Sequence, residues 1–339
     1  MAQKVRFGLW YDFRNPPPST LSFEDLYQEN LRQISWAETL GFESVWLTEH
    51  HFVTDGYTPS PLVIAAAIGQ VTQRMQIGTN LMLLPIADPV RLAEDAAALA
   101  RLTQGRFDLG VGLGYRALEF DYFKRSLKNR PSLMEEGVDI LRQAWSGQPI
   151  EITGKRFSIS GLTVAPQPQS TPKILMGGMA QPAIARAARL GDGFLSTGGI
   201  GHDVYIDALR ALGRDRSEGA IYAGHWGIIS ADPEAEANRV ADYALYQTNE
   251  YVSWGAFGPP DETPLFPDGH TALEQGLYNV WDGDEAVRSL TEMLLTYPEI
   301  RDVHFWAQLP GEPIEQGSAR LEYVANHVLP QVRANIAAA

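Results

Sequence analysis

The sequence contains no cysteine among its 339 residues. This absence excludes disulfide bonds, thiolate nucleophiles, and zinc or iron–sulfur centres held by cysteine. Basic residues are also scarce, since 27 Lys and Arg stand against 41 Asp and Glu, and the net charge is −14. Because nucleic acids bind surfaces rich in Lys and Arg, we expect no nucleic-acid partner.

Long hydrophobic runs are missing as well. No apolar stretch approaches the roughly 18–20 residues that cross a bilayer, and residues 1–6 lack the apolar core of an export signal. The sequence therefore predicts a cytoplasmic protein without a membrane partner. Hydrophobic residues make up 45% and charged residues 20% of the chain, which is typical of a globular domain that buries a full core.

Segments with strand and helix patterns alternate along the chain. The predicted strands are Val5–Tyr11, Val45–Thr48, one within Met75–Leu84, Arg106–Gly112, Lys173–Gly177, Gly193–Ser196, Ile221–Ser230 and Asp302–Leu309. The helices predicted to follow them are Phe23–Leu40, Pro61–Gln73, Pro89–Leu102, Pro131–Trp145, Pro182–Leu190, Asp203–Leu212, one beginning at Pro233, and Glu315–Val332. Eight such units without a break in composition predict an α/β fold, a (β/α)8 TIM barrel formed by a single domain over residues 1–339.

Two segments do not fit this repeat. Residues 150–169 have the pattern of a β-hairpin followed by a proline-rich linker. Residues 248–283 are rich in aromatic residues, proline and glycine, and we expect them to form an irregular, lid-like insertion before strand eight.

A carboxylate and two imidazoles follow predicted strand two, as Glu49, His50 and His51. Active sites of TIM barrels lie where strands open into their loops, and histidine titrates close to neutral pH. Adjacent residues of a strand point to opposite faces, and the helical His-Glu-x-x-His spacing is absent, so no metal site is expected. An acid–base role for His50 competes with a simple polar turn after the strand.

Glycine-rich segments follow predicted strands four and five. The run from Gly110 through Gly112 to Gly114 lacks the spacing of a dinucleotide fingerprint. It favours close backbone approach of a planar ligand at Gly112, with a tight turn as the alternative. The segment 176–182 leads into a helix near Pro182, and backbone N–H groups at a helix start bind phosphate well. An ordinary loop is the alternative there.

Four segments carry a likeness to a known family. Trp46–Phe52, Gln76–Pro85, Pro89–Asp95 and Gly105–Gly112 occur in this order and together resemble the bacterial luciferase-like flavin-dependent monooxygenases. The likeness extends over about the first 200 residues and returns in Asp302–Val332. It implies a TIM barrel that binds reduced FMN, supplied by a separate flavin reductase. It also implies a reaction with O2 that transfers one oxygen atom to a small organic substrate.

The same resemblance implies roles for individual residues. His50 corresponds to the histidine that assists the oxygen chemistry, and Glu49 to its neighbour at the flavin. Asn80 and Leu81 correspond to a pair that packs on the flavin ring, often through a non-proline cis peptide. Arg130 corresponds to an arginine that contacts the phosphate. The loop implied to hold the phosphate consists of Gly177, Gly178, Met179, Ala180 and Gln181.

Two departures from the family pattern keep alternatives open. Luciferase has Cys-Arg where this chain has Gly112-Leu113, so Arg116 becomes a candidate for the missing phosphate arginine. Deazaflavin-dependent reductases of the family tend to carry a tryptophan shortly after the strand-two histidine and a glutamate just after strand four. Residues 52–54 and 112–114 supply neither, so deazaflavin-dependent hydride transfer is the second hypothesis. A non-catalytic flavin-binding protein is the third.

The substrate pocket is expected to be aromatic, which favours an apolar substrate. The residues expected to line it are Tyr11, Tyr57, Tyr115, His225 and Trp226, together with the loop 11–18 and the segment 248–283. Two helices contain the alanine triplets 65–67 and 96–98, which permit close helix packing. With the resemblance, they predict a homodimer. Close packing within the barrel is the alternative.

Overall fold

The computed structural model describes residues 5–17, 19–276 and 278–339. The strands are β1 Arg6–Tyr11, β2 Ser44–Leu47, β3 Gln76–Thr79, β4 Met82–Leu83, β5 Phe107–Gly112, β6 Ile150–Thr153, β7 Ser158–Leu162, β8 Ile174–Gly177, β9 Gly193–Thr197, β10 Ile221–His225, β11 Gly227–Ile229, β12 Asn279–Trp281 and β13 Ile300–Trp306. The α-helices are α1 Phe23–Thr39, α2 Pro61–Val71, α3 Pro89–Leu102, α4 Ala117–Tyr122, α5 Arg130–Ala144, α6 Gln181–Leu190, α7 His202–Ala211, α8 Pro233–Trp254, α9 Gly269–Gln275, α10 Gly283–Thr296, α11 Ile314–Tyr323 and α12 Leu329–Ala338.

Parallel pairing closes the main sheet into a barrel. Its strands follow the order β1, β2, β3, β5, β8, β9, β10 and β13, and β13 pairs again with β1. The short strand β4 continues β3 beyond Asn80 and Leu81 and pairs with β5. The predicted TIM barrel is thus confirmed. In the described part of the chain, no helix is long and apolar enough to cross a membrane.

Local sequence signals explain where several helices begin. The side chain of Ser22 accepts a hydrogen bond from the backbone N–H of Asp25 and caps α1. Asp88 accepts from two N–H groups at the start of α3, where Pro89 occupies the first turn. Each cap therefore fixes the residue at which its helix begins.

Indole rings fill the barrel interior. Alternate residues of a strand face opposite sides, so Trp10 and Trp46 point inward while their neighbours meet the helices. Two glycines provide the space: a Cβ at Gly78 would lie 2.2 Å from the Trp46 ring, and one at Gly224 would lie 2.7 Å from the Trp10 ring. The interior is therefore a packed core that supports the residues above it.

The segment 248–283 differs from the irregular structure expected for it. Helix α8 continues without interruption to Trp254, and α9 and β12 follow, with β12 pairing in parallel with β11. The expectation was wrong because Ala244, Gln247 and Tyr251 continue the buried face of α8 at helical spacing. Aromatic content alone does not end a helix. The first left-handed residue is Gly255, which terminates α8.

Two further elements lie outside the barrel repeat. The residues 150–162 form an antiparallel hairpin of β6 and β7, where the sequence pattern predicted a hairpin. The single strand predicted over residues 221–230 is divided at Trp226, and only its first part, β10, belongs to the barrel.

Candidate active site

The carboxyl ends of the barrel strands bring residues from distant parts of the chain together. Glu49, His50 and His51 follow β2, and Tyr115 follows β5. Helix α4 then presents Glu119 to the same place. Since all barrel strands are parallel, these loops open at one end of the barrel, which is where enzymes of this fold carry their active sites.

His50 is held at both ring nitrogens. Its Nδ1–H donates to Oε1 of Glu119 at 2.8 Å, and its Nε2 accepts from the hydroxyl of Tyr115 at 3.0 Å. Both His50 and Glu119 are buried. A carboxylate on one nitrogen fixes the tautomer and orients the ring, and it stabilises the imidazolium whenever the ring takes up a proton. His50 is therefore arranged as a proton acceptor and donor at Nε2.

Glu49 does not contact His50 through its carboxylate. Its Oε1 accepts from Nε2–H of His51 at 3.1 Å, and its Oε2 accepts from the backbone N–H of Leu83. These bonds tie the end of β2 to β4. Glu49 therefore fixes the loop that carries the histidines. Its carboxylate is bonded to His51 and Leu83 instead of the His50 ring.

Aromatic rings surround His50. Its ring centroid lies 4.8 Å from Tyr57 and 4.9 Å from Trp254, the last residue of α8. The hydroxyls of Tyr57 and Tyr251 are 2.7 Å apart. The guanidinium groups of Arg14 and Arg116 in turn lie 5.4 and 4.9 Å from the Trp254 ring. The C-terminal turn of α8 thus covers His50 and excludes water from it.

A buried ionic cluster holds this cover in place. Nε of Arg14 donates to Oδ2 of Asp55 at 2.6 Å, and Tyr246 of α8 donates to the same oxygen at 2.8 Å. Asp12 lies next to them and accepts from Gln247 of α8 at 3.5 Å. Burial raises the pKa of Asp12 to about 7, with Asp55 adding to the shift and Arg14 opposing it.

Asn80 and Leu81, which follow β3, form a platform at the same end of the barrel. The peptide bond between them is cis, as the resemblance implied. Nε1–H of Trp10 donates to the Asn80 carbonyl at 3.2 Å. A Cβ at Gly112 would lie 2.4 Å from the Leu81 side chain, and one at Gly177 would lie 2.6 Å from it. The two glycines therefore leave Leu81 as the apolar surface between β5 and β8.

Two glycine-rich loops lie side by side next to the platform, because β8 pairs with β9. The first is 178–180, which leads into α6 with no side chain of the described residues capping the helix. The second is 198–201, in which three glycines have positive φ and a Cβ at Gly199 would meet no described atom within 4 Å. Uncapped backbone N–H groups in open glycine loops suit a phosphate.

A family model described as luciferase-like monooxygenase matches residues 5–287. The chain belongs to the luciferase-like monooxygenase family. The resemblance inferred from the sequence is thus confirmed. Members of this family are oxidoreductases and monooxygenases, and they use a flavin or the deazaflavin F420.

Individual relatives represent both cofactor types. An F420-dependent glucose-6-phosphate dehydrogenase of Amycolatopsis mediterranei is 29% identical over 193 residues, which are 54% of this chain and 57% of that enzyme. The monooxygenase RslO1 of Streptomyces bottropensis has a TM-score of 0.82 at 23% identity, covering 96% of this chain and 99% of its own. The oxygenating constituent of 3,6-diketocamphane monooxygenase of Pseudomonas putida, solved with FMN, has a TM-score of 0.76 at 19% identity, covering 97% and 99%. These two structures are similar in fold.

Within this luciferase-like barrel, three of the expected pocket residues meet. Tyr57 and Tyr115 contact His50, and Trp226 packs at 5.6 Å from Tyr251. Tyr57 and Tyr115 lie in the loops after β2 and β5, and Trp226 directly follows β10. These residues belong to one buried aromatic cluster around His50 and Tyr251.

Tyr11 and His225 are not brought to that aromatic cluster. The hydroxyl of Tyr11 donates to Gln33 of α1 at 2.8 Å, and His225 lies 4.8 Å from Trp281 of β12. Both residues alternate with inward-facing Trp10 and Gly224, so their side chains point outward to the surrounding layer. Burial lowers the pKa of His225 to about 4, which keeps it neutral.

The two candidate arginines bind backbone carbonyls. Arg116 donates to the carbonyls of His51 and Phe52. Arg130 donates to Leu127 at 2.9 Å and also to Gly114. Arg116 therefore braces the histidine loop, and Arg130 braces the loop after β5.

Sequence reasoning missed Glu119, Trp254 and the glycine loop 198–201. Glu119 lies on a six-residue helix whose sequence gives no strong signal. Trp254 lies in the segment that was expected to be irregular. The glycine loop follows β9 as 178–180 follows β8, and this parallel was the available signal.

Proposed function

We propose that this protein is an FMN-dependent monooxygenase that uses reduced FMN and O2 to oxygenate a small apolar substrate. The observation that carries the proposal is the placement of His50. It is hydrogen-bonded at both nitrogens, is enclosed by Tyr57, Tyr115 and Trp254, and lies at the same end of the barrel as the Leu81 platform. The fold neighbours that are monooxygenases, one of them bound to FMN, support this choice.

The residues present fit a flavin. Leu81 offers an apolar surface to the flat ring, with backbone approach at Gly112 and Gly177. The loop 178–181 and the glycines Gly199 and Gly201 offer N–H groups to the phosphate, while the N–H groups of Gly198 and Ile200 are bonded to backbone carbonyls. When bound, reduced FMN supplies the two electrons that reduce one oxygen atom of O2 to water while the other enters the substrate.

His50 and its partners handle the proton. Because Nδ1–H is held by Glu119, Nε2 is the only ring atom left to exchange a proton with a reactant. A reactant that displaces the Tyr115 hydroxyl reaches Nε2 directly. Glu119 then stabilises the charged ring, as carboxylates do for catalytic histidines. The aromatic cover keeps water away from the reacting atoms.

The reduced FMN comes from a separate flavin reductase in this proposal, since the sequence carries no convincing nicotinamide-binding motif. A homodimer is also proposed. Helix α2 contains no charged residue although Val63 is 71% exposed, and Leu102 at the end of α3 is 56% exposed. Exposed apolar helix faces of this kind are suited to a partner subunit.

An anaerobic titration with reduced FMN, followed by a pulse of oxygen, tests the cofactor and the chemistry. We expect saturable binding and oxygen-dependent product formation across a panel of cyclic ketones, aldehydes and aromatics. The variant His50→Ala is expected to bind FMN and lose turnover by about 10²–10⁴-fold. His270→Ala, at an exposed histidine, is the matched control. Turnover of His50→Ala at the wild-type rate contradicts the proposal.

Deazaflavin-dependent hydride transfer is the second candidate. A specific observation favours it: the glutamate and tryptophan expected for that branch, absent near His50 in the sequence, are supplied in space by Glu119 and Trp254. The F420-dependent relative from Amycolatopsis mediterranei points the same way. Binding of reduced deazaflavin, activity without oxygen, and no binding of FMN would select this candidate. Tight flavin binding without turnover of any panel substrate would select a non-catalytic flavin protein.

A further inference from the structure

A chain of buried polar groups runs through the barrel beneath the platform. Nδ2–H of Asn80 donates to Nε2 of His304 at 2.9 Å. Nδ1–H of His304 donates to Oδ1 of Asp302 at 3.1 Å. Asp302 also accepts from Arg6 at 3.1 Å and from Trp46 at 3.0 Å. His304 and Asp302 have no exposed surface and Asn80 is buried, so the bonds that join these three residues are made away from water.

The strand register shows the direction of the chain. His304 is level with Gly8 of β1, whereas Thr79, which precedes Asn80, is level with Leu47 and Tyr11 near the strand ends. His304 therefore lies deeper in the barrel than Asn80. The NH2 end of the Asn80 amide faces down toward His304, and its oxygen faces away from the ring.

The ring of His304 is fixed independently of these bonds. It stacks on Trp46 with centroids 5.0 Å apart and meets Trp10 edge-on at 5.3 Å. A Cβ at Gly224 would lie 3.1 Å from its Nε2. A buried ring that is stacked on Trp46 and bounded by Trp10 and Gly224 has little room to rotate to another partner, so Nε2 stays aimed at Asn80.

The protonation of His304 decides which end of the Asn80 amide faces it. Asp302 accepts only, so Nδ1 of His304 carries a proton. A neutral ring then has a bare Nε2 and requires the NH2 group of Asn80. A charged ring would carry a second proton and would require the amide to turn over, presenting its oxygen to His304. Burial lowers the pKa of His304, with Asp302 opposing, which favours the neutral ring.

We propose that Asp302 and His304 are positioning residues that hold the Asn80 amide in one orientation under the flavin. The inference rests on the proposed function for the role of Asn80 and Leu81 at the cofactor. Trp10 and Leu47 fix the backbone of Asn80 by hydrogen bonds of 3.2 and 2.6 Å. His304 fixes the side-chain amide of Asn80, so that the backbone and the amide are both held in position before the cofactor binds. Preorganisation of this kind lowers the cost of binding.

The first test uses the cofactor-free protein at neutral pH. Nitrogen-15 NMR of histidine-labelled protein distinguishes a protonated ring nitrogen from a bare one. We expect His304, assigned by its loss in His304→Gln, to show Nδ1 protonated and Nε2 bare. A ring with Nε2 protonated, whether neutral or charged, overturns the proposed positioning role of Asp302 and His304. This readout does not depend on any activity.

The second test is a double-mutant cycle on the dissociation constant of oxidised FMN. His304→Phe keeps a flat ring on Trp46 but removes both nitrogens, and we expect binding to weaken about tenfold. In the Asn80→Ala background the same change is expected to alter binding less than about twofold, because the partner is gone. His304→Gln, whose amide oxygen can accept at the place of Nε2, is expected to restore most of the affinity.

The outcomes distinguish a failure of the positioning role from a failure of the proposed function. If His304→Phe weakens binding equally with and without Asn80, or not at all, the positioning role is wrong and the proposed function stands. If the wild-type protein binds neither FMN nor deazaflavin, the proposed function is wrong. The NMR result alone then tests whether His304 holds the Asn80 amide. Should His304→Phe fail to fold, as circular dichroism would show, Asp302→Asn replaces it in the cycle.

Discussion

Nδ1 of His50 and Oε1 of Glu119 lie 2.8 Å apart, although 69 positions separate the two residues in the chain. Glu119→Gln keeps a polar group of the same size but removes the negative charge that stabilises a protonated ring. We expect turnover to fall by about 10²-fold with little change in FMN affinity. Single-turnover kinetics measures this. The exposed Glu322→Gln serves as the control, and an unchanged rate in Glu119→Gln would remove the proton-handling role of the pair.

Arg14 anchors the cover over His50. Its side chain is fully buried, pairs with Asp55 and lies 5.0 Å from the ring of Tyr246. Arg14→Met leaves the carboxylates buried without their partner, and we expect the free energy of unfolding to fall by about 3–5 kcal/mol. Urea denaturation measures it. Arg32→Met, which breaks the exposed pair with Glu29, should cost less than about 1 kcal/mol. Equal effects of the two variants would contradict the anchoring role.

The carboxyl group of Asp12 gives the stability a pH dependence of known sign. Burial raises its pKa from 3.8 to about 7, so the folded protein holds a proton that the unfolded chain releases. Stability from this group is complete below pH 4 and is lost as the pH rises through 7, by a total of about 4 kcal/mol.

The difference between wild type and Asp12→Asn isolates this contribution. His202 and His225, whose pKa values burial lowers to about 4, act in the opposite direction, since their stability is lost as the pH falls below about 6.5. They are present in both proteins and cancel. Denaturation between pH 4.5 and 7.5 should show Asp12→Asn gaining on wild type as the pH rises. A constant difference would show that Asp12 is already ionised.

The apolar outer face of α2 predicts the assembly state. Val63→Glu places a charge on a position that is 71% exposed in the single chain. If this face meets a second subunit, the variant is expected to be a monomer by analytical ultracentrifugation while the wild type is a dimer. Glu94→Lys, also at an exposed position, is the control for a change of charge. Identical masses for wild type and Val63→Glu would exclude this face as the interface.

Much of the barrel follows from local signals. Helix α3 begins and ends at the predicted residues, Pro89 and Leu102, because Asp88 caps one end and the apolar spacing stops at the other. The helical structure of Thr248–Trp254 could not be predicted from local signals, because whether an aromatic helix continues depends on the surface that it covers. That surface is made by Tyr57 and Arg14, which are far away in sequence.

The site was predictable only where residues with acid–base side chains closely follow a predicted strand. His50 stands shortly after a strand, and of its neighbours Tyr57 and Tyr115 were among the expected pocket residues. The contact with Glu119 depends on how α4 folds back over the end of β5, which no spacing rule specifies. The outward direction of Tyr11 and His225 depends on strand register, and a shift of one residue would have reversed it.

The glycine at position 78 and the indole at position 46 have a consequence for how this sequence can diverge. Because a Cβ at Gly78 would overlap the Trp46 ring at 2.2 Å, the two positions share one volume. The two residues can therefore change only together, because a substitution at one of them alone leaves the barrel core either overpacked or with a cavity. Since Trp46 also donates to Asp302, such an exchange would reshape the polar chain under Asn80 at the same time. Descendants of this chain that differ at one of these positions are expected to differ at the other.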